Sequence, residues 1–152
     1  MLSALSCRSR LAAVRAFAAL QPLLIAAMAA HVALTSVLYV LLTVARAPKV
    51  WGVGQRSDGS NPWADIEPRI SANLSNQFEW PLLFYVACIL LLQMQWQTDW
   101  ADAMAWLFVG GRILHSGIQI CTRNIRLRGL VFTINFVAVV AMWIMLLVQL
   151  FH

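Results

Sequence analysis

Arg112 and His115 stand three residues apart inside Ala101–Cys121, a run otherwise apolar enough to cross a bilayer. An arginine at the centre of a membrane helix costs about 2.5–3.5 kcal/mol on insertion scales. Such a cost calls for a partner, a water-filled cleft or a polar ligand. Gln119 follows at i+7 from Arg112 and Ser116 at i+4, so at 3.6 residues per turn these side chains share one stripe. The stripe runs toward a basic segment holding Arg123, Arg126 and Arg128. Guanidinium groups of that kind grip carboxylates or phosphates by paired N–H donors, and also anchor lipid headgroups. The stripe therefore lines a polar cleft, or it is a buried network that fixes helix pairing, with Arg112 answered by a carboxylate. Glu79, the one acid near a span apart from those in Gln95–Asp102, is the natural partner for Arg112.

A second polar set precedes Glu79. Arg69, Asn73, Asn76 and Gln77 are spaced four, three and one residues apart. Carboxamides carry two N–H donors and an acceptor, which suits them to a peptide-like ligand. They suit helix caps and interhelical bonds equally. His31, alone on an apolar segment, reads as an interhelical hydrogen bonder. Ser116 beside His115 is too local for a hydrolase dyad. No glycine-rich phosphate loop, HExxH motif or paired-carboxylate motif occurs. Cys7, Cys88 and Cys121 are widely separated, without a CxxC pair, so neither a metal site nor a disulfide framework is expected.

The elements that position these groups follow from composition. Of 152 residues, 61% are hydrophobic and 11% charged, against about 25% charged in a soluble domain. That predicts an all-α integral membrane protein in which four spans leave no room for a soluble catalytic domain. The spans are expected near 22–44, 78–94, 103–121 and 130–150, within one domain over 21–152. Pro22 suits a helix start. Residues 1–20 carry Arg8, Arg10 and Arg15 among small apolar residues and read as a basic interfacial extension. The connection 45–75 is long and polar, with a turn at Ser57–Trp63 and a returning helix from about Asp65. Gly110, Gly111 and Gly117 would allow a neighbouring helix or ligand to approach closely.

The net charge of +5 resides beside apolar spans, so lipid headgroups and topology account for it, not nucleic acid. The first and third connections hold Arg46, Lys49, Arg56, Arg69, Arg123, Arg126 and Arg128. The positive-inside rule places both in the cytoplasm of a bacterial inner membrane, with the termini outward; the three N-terminal arginines oppose that orientation.

The segments NLSNQFEWPLLFY and GRILHS, with the basic loop and the four-span layout, resemble the MAPEG family of membrane-associated proteins in eicosanoid and glutathione metabolism, in a bacterial-type member. The resemblance covers Pro22 to the C-terminus. It implies a four-helix bundle assembled as a homotrimer, with glutathione bound between subunits near the cytoplasmic face and its thiolate activated toward lipophilic electrophiles or peroxides. Arg128 then corresponds to the catalytic arginine near the thiol. Arg69, Asn73, Asn76, Glu79 and His115 hold the tripeptide, and Arg112 forms a structural ion pair with Glu79. The chain departs from the family pattern at three points. The glutamate expected three residues after Asn73 is Asn76, so Glu79 serves only if the register shifts to Asn76-x-x-Glu79. Tyrosines of some members are Gln119 and Phe132 here. Those losses, and the basic N-terminus, favour a rival reading: a non-catalytic accessory or scaffold subunit of a larger membrane complex, or a lipid-binding protein. A transporter is disfavoured by the scarcity of intramembrane polar groups and the lack of an inverted repeat.

Overall fold

The structure is a computed structural model that describes the backbone of residues 2–96 and 98–151 and the side chains of 23–96 and 98–151. Five helices follow one another: α1 (Leu2–Trp51), α2 (Glu67–Ser75), α3 (Trp80–Gln93), α4 (Asp99–Cys121) and α5 (Ile125–Phe151). Among the described residues there is no strand. The helix start expected at Pro22 is not seen; α1 runs through it from Leu2. Residues 11–20 are rich in alanine, the best helix former, which favours continuity on the N-terminal side. The expected interfacial role of Arg8, Arg10 and Arg15 rests on side chains outside the described residues.

Three helices outrun the expected spans: α1 continues to Trp51, past 44, and α4 and α5 begin at Asp99 and Ile125, before 103 and 130. Helix α1 ends where Gly52 adopts φ +68° and its amide donates to the Pro48 carbonyl at 3.2 Å, a left-handed cap that glycine enters without a Cβ penalty. The returning segment is a separate helix, α2, broken from α3 over 76–79. Thr98 caps α4 by accepting from the Ala101 amide at 3.2 Å, and Asp99 and Asp102 lie in the first turn, where the helix dipole favours negative charge. Asn124 Oδ1 accepts from the Leu127 amide at 3.1 Å and so starts α5.

Three segments, Leu23–Trp51, Glu67–Gln93 and Ile125–Phe151, are long and apolar enough to cross a membrane. Helix α4 has 23 residues, about 35 Å at 1.5 Å per residue, which is also long enough. It falls short in apolarity because it carries Arg112, His115, Ser116 and Gln119. The bundle turns its apolar side chains outward, with Val32, Val40, Ile113, Leu130 and Leu150 all more than half exposed. Lipid tails are as apolar as the core, so close packing rather than hydrophobic burial holds such helices together. The core suits that requirement. Ala27, Ala87, Ala101, Ala105 and Ala138 are fully buried, and Phe84 stacks on Phe108 with ring centroids 4.3 Å apart.

Helix α2 is fastened across the end of α1. Leu38, Leu42 and Ala45 pack against Ile70 and Leu74. Arg46 Nε donates to Glu67 Oε1 at 2.6 Å, the one salt bridge among the described residues, and its Nη2 donates to Ser71 Oγ at 3.1 Å. Exposed pairs of this kind contribute about 0–1 kcal/mol, so the apolar contact is the larger effect. This seat brings Arg69 and the 73–79 segment against α4.

Candidate functional site

The polar stripe of α4 meets the α2–α3 junction in a continuous hydrogen-bonded network. Arg112, 1% exposed, donates through Nε and Nη2 to Gln77 Oε1 at 3.1 and 2.9 Å, and through Nη2 to the Asn76 carbonyl at 2.6 Å. Hydrogen bonds involving a charged group each contribute about 1.5–3 kcal/mol, so these three offset the insertion cost of the guanidinium. The expected Arg112–Glu79 ion pair is not formed within the chain. The exposed Glu79 precedes α3 as its N-cap residue, while Gln77, two residues earlier, is buried against the arginine.

Gln77 joins three helices. Its Oε1 also takes the Nε2–H of His31 at 3.0 Å, and its Nε2 donates to Asn73 Oδ1 at 3.0 Å and Ser116 Oγ at 3.2 Å. Because a carboxamide oxygen only accepts, His31 carries its proton on Nε2. Its Nδ1 then accepts from the Tyr85 hydroxyl at 2.9 Å. His31 is thus an interhelical hydrogen bonder, as its sequence setting indicates.

Gln119 is the second hub. Its Oε1 accepts from Asn73 Nδ2 and Asn76 Nδ2, both at 3.1 Å, and from His115 Nε2 at 3.0 Å. Three donors on that oxygen fix which way the carboxamide points. Arg69 Nη1 donates to the Ile120 carbonyl at 3.3 Å, which ties α2 to the end of α4.

Beside this network lie two adjoining pockets among α2, α4 and α5. The smaller, about 290 Å³, is lined by Arg69, Arg123, Asn124 and Arg128. The larger, about 760 Å³, is lined by Asn76, Glu79, His115, Arg128 and, on its apolar side, Trp80 and Phe132. Ala72, Gln119, Ile125 and Arg128 line both, so the pockets form one cleft. Trp80 stacks on Phe136 with centroids 4.9 Å apart, which stiffens the apolar wall.

Seven of the residues singled out in the sequence, Arg69, Asn76, Glu79, His115, Gln119, Arg123 and Arg128, therefore meet in this cleft. Asn73 lines neither pocket; it is fully buried, bonded to Gln77 and Gln119. Arg112 likewise lines neither and belongs to the framework behind the cleft. Asn76 and Glu79 line the larger pocket together. Gln119 was legible only as a member of the α4 stripe; its place at the junction of the pockets needed the fold. Among the described residues no cluster of His, Cys, Asp or Glu could hold a metal ion.

No curated protein and no solved structure matches this chain. The family model that does match spans residues 24–148, which takes in the spanning segments, the α2–α3 junction, the α4 stripe and the basic loop. This chain, an integral membrane bundle of helices, therefore belongs to the MAPEG family.

Proposed function

We propose that the protein is a membrane-bound glutathione transferase or peroxidase acting on lipophilic electrophiles. The observation that carries this reading is the meeting of Asn76, Glu79, His115 and Arg128 around one pocket of about 760 Å³, within the usual size range of ligand sites. Glu79 supplies a carboxylate for the tripeptide's ammonium group and Asn76 a carboxamide for its backbone. Arg69 and Arg123 in the adjoining pocket supply cations for its carboxylates. Arg128 borders both pockets and stabilises the thiolate, since lowering a thiol pKa toward neutrality takes a nearby cation. The electrophile enters from the lipid past Trp80 and Phe132. A homotrimer in a bacterial inner membrane, with the cleft on the cytoplasmic side, is the setting that accompanies this reading.

The test is glutathione titration of the detergent-purified protein, following thiolate absorbance and conjugation of a chlorinated aromatic electrophile. Binding below millimolar glutathione with turnover is expected in the wild type. In Arg128→Ala, turnover should fall at least roughly a hundredfold, the scale of losing one electrostatic contact to the reacting atom, with the fold intact. Failure of millimolar glutathione to bind would sink the enzyme reading and leave an accessory or lipid-binding subunit.

A further inference from the structure

The cleft contains a donor that the reading above leaves unused. Gln119 has its Oε1 committed to Asn73, Asn76 and His115, and among the described residues its Nε2 makes no hydrogen bond. Turning the carboxamide over would set an N–H₂ group against three donors, so the amide is held one way round. Only 6% of the residue is exposed, yet it borders both pockets, together with Arg128. An uncharged N–H and a guanidinium thus border the same junction. Two such donors form a preorganised seat for one anionic atom, where they cost no reorganisation as charge develops.

Resting on the proposed thiol chemistry, we infer that Gln119 Nε2 is the second donor to the glutathione thiolate, paired with Arg128. When the S–H bond breaks, the proton leaves to water at the open mouth of the cleft. The sulfur keeps the electron pair and is held by Arg128 from one side and the Gln119 amide from the other. A carboxamide thereby takes the part of a hydroxyl, and the three residues bonded to its oxygen act as positioning residues. No oxidant or metal enters the step.

The experiment compares the wild type with Gln119→Tyr and Gln119→Phe in detergent. Both variants lose the carboxamide, and they differ from each other by a single hydroxyl donor. Two quantities are read: the pH midpoint of thiolate absorbance for bound glutathione, and the affinity for S-methylglutathione, which has no thiol to ionise. The wild type and Gln119→Tyr should hold the midpoint well below the ordinary thiol value of about 8.5. Gln119→Phe should raise it by at least roughly one pH unit, equivalent to tenfold less thiolate below the midpoint. Affinity for S-methylglutathione should be the same within about threefold in Gln119→Tyr and Gln119→Phe, since both lose the carboxamide oxygen that holds Asn76 and His115 and the remaining difference, one hydroxyl, acts only on the anion. Equal midpoints in the three proteins would overturn the inference while leaving glutathione binding in place. Parallel loss of both readouts in Gln119→Phe and Gln119→Tyr would also overturn it, by showing a purely architectural role. A wild type that binds neither glutathione nor S-methylglutathione removes the functional reading itself.

Discussion

Arg112 shows how a buried charge is accommodated without a counter-charge. Its Nε and Nη2 are answered by the Gln77 side chain and the Asn76 carbonyl, and Gln77 simultaneously bonds His31, Asn73 and Ser116. Removing Gln77 takes away two of the three hydrogen bonds to the guanidinium, each worth about 1.5–3 kcal/mol for a charged group. Gln77→Leu should therefore lower the melting temperature in detergent sharply or abolish recovery of folded protein. Gln77→Glu keeps the acceptor for Arg112 and His31 and adds a charge opposite the guanidinium, but loses the donor to Asn73 and Ser116, so it should melt between Gln77→Leu and the wild type. Equal melting of Gln77→Leu and wild type would show that the network is dispensable. This partner was hard to read from the sequence. Charge matching points to Glu79, and only the break between α2 and α3 turns the neutral residue at 77 inward and leaves 79 at the cleft.

At the scale of elements, helix positions were legible because apolar runs of membrane length are strong signals. What faced what was not. Gly110, Gly111 and Gly117 look equivalent in sequence, yet a Cβ at Gly111 would collide with Asn135 Oδ1, while those at Gly110 and Gly117 meet open space. Gly111 is thus the point where α5 presses on α4, and Asn135, fully buried, has no partner there for either polar side-chain atom. Overpacking costs about 1–3 kcal/mol, so Gly111→Ala should be destabilising by that order and Gly110→Ala should be nearly neutral, as read by thermal melting. Asn135→Ala removes the colliding group, so the double variant with Gly111→Ala should recover much of the loss. Additive losses instead would mean the two sites are not coupled. Asn73 and Asn76 are likewise alike as letters and both donate to Gln119, yet Asn73 inside α2 is fully buried while Asn76, just past its end, also borders the pocket.

For the whole molecule, the first and third connections lie at one end, because Arg69 reaches the Ile120 carbonyl and shares a pocket with Arg123 and Arg128. That end carries Lys49, Arg56, Arg123 and Arg126 as well, and basic residues beside membrane spans are retained on the cytoplasmic side. The cleft opens at the same end; with that end in the cytoplasm, as we propose, a reduced thiol would be abundant beside it. Cys121 reports on this directly, since it is exposed at the end of α4 while Cys88 is buried in the core. In a Cys7→Ser background expressed in a bacterial inner membrane, a membrane-impermeant maleimide should fail to label Cys121 in intact spheroplasts and should label it once the membrane is opened. Labelling in intact spheroplasts would put the cleft on the oxidising side. The three N-terminal arginines would then outweigh the seven basic residues of the first and third connections, and the thiol-dependent reading would lose its supply of reductant.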